Sequence, residues 1–256
     1  MEASQEFYLA PGGPIDRLQA KLGLRRNDHS RLGLRALITA LAIWLPLLAM
    51  AFLEPNPAAD VSFLRDIAAH VRFLLVVPLL ILAEATIGNR SRLVVSQFLS
   101  SGLVPDSEAD RFESAMRRGR RLLDSWMAEL IVGAVSAVLV WIAVHGVLAE
   151  PAIFWFEKVT PQGSALTRAG WWYALVATPV FIFLQLRWLW RYFIWWWFLG
   201  RVARLDLRLT GAHPDRAGGL GFVAFHHSMF CILTFAVTCA VSAAAANRIL
   251  YADATL

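Results

Sequence analysis

Five long apolar stretches separated by short polar segments organise this chain, at about residues 36–53, 67–87, 126–148, 172–197 and 222–246. A hydrocarbon layer about 30 Å thick is crossed by about 20 apolar residues in a helix. The pattern therefore predicts an all-α fold, a polytopic transmembrane helical bundle of five spans with short interfacial helices. Residues 1–35 form a polar N-terminal segment, with a surface helix expected around Ile15–Leu24, and residues 36–256 form the bundle.

The boundaries follow from local chemistry. Glu54-Pro55-Asn56-Pro57 ends the first span, which contains Pro46. The second contains Arg72, Pro78 and Glu84, and Gly88-Asn89 reads as its C-terminal stop. Leu93, Val94, Phe98 and Leu99 then predict a short helix lying on the interface. Ser107 followed by Asp110 resembles an N-terminal capping box. Nothing obvious breaks the helical pattern from there through the third span. One helix over 107–148 is expected, about 63 Å long, with a cytoplasmic extension over 107–125 and Gly119 as its bend. The aromatic patch Phe154-Trp155-Phe156 reads as interfacial, as do Trp171-Trp172 and Trp195-Trp196-Trp197 at the two ends of the fourth span.

Composition supports this reading. Of the 256 residues, 58% are hydrophobic and 17% charged, against about a quarter charged in soluble domains. Disordered, collagen-like and disulfide-scaffold classes are excluded. The first apolar run is too long for a cleaved signal peptide and is expected to be a retained span. Cys231 and Cys239 are about 12 Å apart on one helix, too far for a disulfide, and read as buried apolar fillers.

The net charge is +5, almost entirely through arginine. Seventeen of the 24 Lys and Arg residues fall in residues 1–35, 89–125 and 201–221, and four in the alternate loops. With five spans the rich loops share one side. The positive-inside rule then places the N-terminus in the cytoplasm and the C-terminus outside, and the bacterial cytoplasmic (inner) membrane is the expected location. Lipid is the expected partner, with a second copy or another membrane protein beside it. Acidic residues near Arg117–Arg121 argue against nucleic acid. The chain stops ten residues after the last span, which leaves open a longer reading frame downstream.

An ionisable group in mid-membrane costs about 2.5–3.5 kcal/mol on the insertion scale, so it usually finds a partner. Depth along the spans predicts a polar cluster of Glu84, Glu129, Arg187 and Arg191, the two arginines sharing a helix face. It reads as interhelical glue or as the wall of a polar cavity. Arg72 is expected to snorkel outward.

The segment between spans four and five carries His213, Asp215 and Arg216, then Gly218, Gly219 and Gly221, with His226 and His227 close behind. Its readings are a divalent metal on His213, Asp215 and one of the later histidines, an anion on the glycine amides with Arg216, a hinge, or a plain turn. No metal signature is matched, and no cofactor is expected. Ser164 lacks the flanks of a nucleophile elbow, and no CxxC, HExxH or GxGxxG occurs. Function is thus expected to be that of a solute or ion translocation component or its accessory subunit. The alternatives are a membrane-bound enzyme at the cytoplasmic interface, or a structural membrane protein with no catalytic site.

Overall fold

The computed structural model describes residues 29–56, 59, 61–147, 154–161 and 163–251. The surface helix expected around Ile15–Leu24 lies outside them. Among the described residues five helical stretches are long and apolar enough to cross a membrane, as the hydrophobic pattern predicts. In chain order the elements are α1 (His29–Leu53), α2 (Ile67–Ser100), α3 (Ala109–Leu123), α4 (Trp126–Val147), β1 (Glu157–Thr160), β2 (Gly163–Leu166), α5 (Arg168–Val202), α6 (Gly221–Ser228) and α7 (Cys231–Tyr251).

Several boundaries differ from expectation, each for a local reason. Gly88-Asn89 does not stop α2. Ile87, Ser91, Val94, Val95 and Phe98 keep one buried stripe running at helical spacing, and the Ser91 hydroxyl donates to the Gly88 carbonyl at 2.8 Å. The expected interfacial helix is simply the end of α2. The helix expected over 107–148 is two helices, and the break falls at Asp124-Ser125 rather than at Gly119, which is buried within α3. Ser125 acts as a cap for the second helix: its Oγ accepts from the Ala128 amide at 3.4 Å. Likewise α3 opens on a 3₁₀ turn, Asp106–Glu108, and not on the expected box. The fifth span is interrupted at Met229-Phe230, between α6 and α7.

The aromatic patch at 154–156 packs against the protein instead of facing outward. Phe154, Trp155 and Phe156 are all buried, and they lead into an antiparallel hairpin in which Glu157 faces Leu166 and Thr160 faces Gly163. Trp195 is fully buried and belongs to the core instead of an aromatic belt, whereas Trp171 and Trp196 are exposed. Cys231 is exposed, contrary to the filler reading, and both cysteines are free.

The chain forms two compact units. The first gathers residues 29–31, 82–131 and 187–233. Its core is aromatic: Phe98 packs on Phe112 and Phe222, Phe112 on Phe198, and Trp195 on His226. The second unit gathers the described residues of 32–81, 132–186 and 234–251. Leu47, Phe73, Val76, Leu80, Ala177 and Ala236 are buried in it.

In the second unit both α2 and α5 contain a π-helical turn, Val71–Val76 and Tyr173–Ala177. Each lies just before a proline, Pro78 and Pro179. Proline lacks an amide hydrogen, and its ring clashes with the carbonyl four residues back. The amide preceding each proline instead reaches back five residues, Val77 N–H to the Arg72 carbonyl and Thr178 N–H to the Tyr173 carbonyl. The wider turn makes room for the ring and lets the helix continue.

Candidate functional site

The four charged residues placed in one cluster by sequence depth do come together, within the first unit. Arg187 and Arg191 stand one turn apart on α5, Glu84 comes from α2 and Glu129 from the first turn of α4. The Arg191 Nη1 donates to Glu84 Oε1 at 3.1 Å, and Arg187 Nη1 reaches the same oxygen at 3.5 Å. Arg187 Nη2 lies 4.0 Å from Glu129 Oε1, an ion pair longer than a direct hydrogen bond. Both arginines are buried, and the Arg191 guanidinium also lies over the Trp188 ring at 5.1 Å. Two guanidiniums and two carboxylates cancel in formal charge. Sharing one carboxylate between two arginines and adding a second beside Arg187 offsets a desolvation cost that lone charges would carry in full.

Arg72 does not simply snorkel. Its Nη1 donates to the Tyr173 hydroxyl at 2.6 Å, and its guanidinium lies 5.8 Å over the Phe181 ring. His70 is likewise engaged. Trp44 Nε1–H donates to its Nδ1 at 3.0 Å, so Nε2 carries the proton and donates to the Leu64 carbonyl at 3.3 Å.

The His-Pro-Asp-Arg segment is an ordered turn organised by Asp215. Its Oδ1 accepts from the amides of Ala217 (2.9 Å) and Gly219 (3.1 Å), and its Oδ2 from Gly221 (2.8 Å). His213 Nδ1 lies 2.8 Å from Oδ1 and 3.3 Å from the Asp215 amide. One nitrogen cannot donate and accept at once, and the shorter, charge-assisted contact makes it the donor. Partial desolvation pushes the Asp215 carboxyl up, but the amides of Ala217, Gly221 and Gly219 and the His213 ring together hold it well below the usual carboxylate range. Gathering three amides around one carboxylate bends the chain sharply, and Arg216, Gly218 and Gly219 all take positive φ (54°, 66° and 97°). The Gly219 and Gly221 amides, which an external anion would use, are therefore already bonded to the protein's own carboxylate.

His226 and His227 do not join this turn. Among the described residues neither bonds to His213 or Asp215, and no group of three His, Cys, Asp or Glu has the geometry to hold a metal ion. His226 is buried at 1% exposure, edge-on to Trp195 with ring centroids 4.5 Å apart. His227 packs on Trp196 at 5.0 Å.

A polar centre that sequence reasoning missed lies in the second unit. Asp66, 3% exposed, accepts from the Ala69 amide (2.9 Å) and Asn247 Nδ2 (2.7 Å) through Oδ1, and from Trp155 Nε1 (2.9 Å) through Oδ2. Asn247 Oδ1 in turn accepts from the Ile67 amide at 3.1 Å. One carboxylate thus caps α2 and ties the 154–156 segment and the end of α7 to it. The signal was legible in part: an Asp directly before an apolar run marks an N-cap. Its distant partners were not.

Fold and site together define a helical protein of the multi-pass membrane type, with a neutralised charge cluster inside its apolar helices. No family model, curated protein or solved structure matches the chain.

Proposed function

We propose that the protein is an accessory subunit of a solute- or ion-translocating system in a bacterial inner membrane, with its N-terminus cytoplasmic and its C-terminus outside. In this role the Glu84, Glu129, Arg187 and Arg191 cluster holds spans two, three and four together and is not itself a conducting site. The observation that carries the reading is the internal charge balance of the cluster, with Glu84 Oε1 bound to both arginines. A carboxylate tied to two buried guanidiniums is poorly placed to exchange protons or cations. The distribution of Lys and Arg supports the orientation.

The test is reconstitution of the purified protein and its Glu84→Gln variant into proteoliposomes. The expected result is no proton or ion flux from either, together with a lower melting temperature for the variant. Flux through the wild type that vanishes in a well-folded Glu84→Gln protein would make the cluster a conduction site and overturn the accessory role. Fusion reporters on the two ends, expected on opposite sides of the membrane, check the orientation.

A further inference from the structure

Helix α3 and its two flanking residues carry six charged side chains in three ordered pairs, and two arginines stand outside them. Arg111 bonds Glu108 at 3.0 Å, Arg117 bonds Glu113 at 2.7 Å, and Arg120 lies 3.7 Å from Asp124. Among the described residues Arg118 and Arg121 are in no ion pair, and both are exposed. They are three apart and so neighbours on the helix surface. The opposite face, with Phe112, Met116, Gly119 and Leu123, is buried against the first unit. The helix is therefore fixed, and it presents these two guanidiniums outward.

Charge is also uneven along the axis. Four acids and Arg111 lie over residues 106–113, and four arginines and Asp124 over residues 117–124. From Glu108 to Arg121 the rise is about 20 Å. Immediately past the basic end, α4 begins with Trp126, Met127 and Leu130, which are 61%, 58% and 62% exposed. Two unpaired guanidiniums are thus followed along the chain by an exposed indole and then by exposed apolar side chains. Arginine, then tryptophan, then aliphatic residues is the order that phosphate, glycerol backbone and hydrocarbon present at a bilayer surface.

We propose that Arg118 and Arg121, with Trp126, form a docking site for the phosphate of an anionic phospholipid. The inference rests on the chain being membrane-embedded, as proposed above, and not on the accessory role. A polyanion lying along α3 would meet the acidic residues at 106, 108, 110 and 113. A thin headgroup layer meets only the last two turns, where the free cations are. A guanidinium pair also suits phosphate oxygens better than ammonium groups would, because each fork offers two parallel donors.

The experiment uses the full chain in neutral detergent, titrated with dioleoylphosphatidylglycerol or dioleoylphosphatidylcholine, with bound lipid counted by native mass spectrometry and stability read as melting temperature. The wild type should retain phosphatidylglycerol, melt higher with it, and show neither effect with phosphatidylcholine. Arg118→Gln/Arg121→Gln should weaken phosphatidylglycerol binding about 30-fold, each arginine near an anionic surface contributing about fivefold. It should melt like the wild type without lipid. Arg118→Lys/Arg121→Lys should keep part of the binding. If the Gln variant fails to fold, the wild type alone decides, since its bound phosphatidylglycerol should fall as salt is raised. Equal retention of the two lipids by the wild type, or unchanged phosphatidylglycerol binding in a folded Gln variant, would overturn the site. A protein found in the aqueous fraction without detergent would instead overturn the membrane reading beneath it.

Discussion

The Arg72 guanidinium donates to the Tyr173 hydroxyl at 2.6 Å, and the backbone carbonyls of these same two residues receive the long amide bonds of the two π turns. Side chain and backbone therefore act at one level. Two proline-induced widenings, one in α2 and one in α5, are clasped together at the residues where each begins. Tyr173 is further held by Phe156, stacked at 5.0 Å, and by Phe73 edge-on at 5.9 Å.

Tyr173→Phe removes one hydroxyl and leaves the ring contacts. It should lower stability by about 1 kcal/mol, the usual size of an interhelical hydrogen bond in a membrane protein. Thermal unfolding in detergent measures this, and a loss no larger than that of a surface substitution would mean that the clasp contributes nothing.

Removing one partner of a buried charge network leaves the others uncompensated. Glu84→Gln should cost about 3–5 kcal/mol, while Glu84→Gln combined with Arg191→Met should cost less than the single change. Melting temperatures of the two variants side by side provide the check. Additive losses would show that Glu84 and Arg191 do not depend on each other.

Asp66 is a single carboxylate serving three donors from distant parts of the chain. Asp66→Ala should destabilise by about 2–4 kcal/mol, because it removes a helix cap and leaves the Trp155 and Asn247 donors buried without an acceptor. The indole N–H resonance of Trp155, assigned by its loss in Trp155→Phe, gives a local readout. In the variant it should shift and exchange faster with solvent even at temperatures where the helices persist by circular dichroism.

The carboxyl of Asp215 titrates below its unfolded value of about 4. A depressed folded pKa contributes stability above the unfolded pKa, and that contribution disappears only as pH falls towards the folded value. The carboxyl-carbon resonance of Asp215 should therefore titrate with a midpoint below about 4. Shifts centred at the ordinary aspartate pKa would show the turn to be loose.

Gly170 tests the hairpin's seating. A Cβ there would collide with the Phe156 backbone carbonyl and press on Leu166. Gly170→Ala should cost about 1–3 kcal/mol by forcing the start of α5 away from the strand, measured again as a melting temperature. Gly133→Ala, where a Cβ meets nothing, is the matched control and should change little.

The amino-acid sequence by itself determined the number of apolar helices, their approximate extents and the charge balance between loops, because hydrocarbon crossing depends on length and hydropathy that each stretch carries alone. The meeting of Glu84 with Arg187 and Arg191 was also legible, since position along a span sets depth and few charges compete for partners. The remaining features belong to the tertiary structure. Whether Gly88-Asn89 ends a helix depends on whether neighbours keep burying the stripe beyond it. Whether Trp195 faces lipid or core depends on which side of α5 is packed, and a run of three tryptophans has no periodicity to reveal that. Asp66 finds Trp155 and Asn247 across 89 and 181 residues, while His213 and Asp215 stay apart from His226 and His227 despite their proximity in sequence. Contacts of that kind are decided by the path of the folded backbone, which local spacing does not encode.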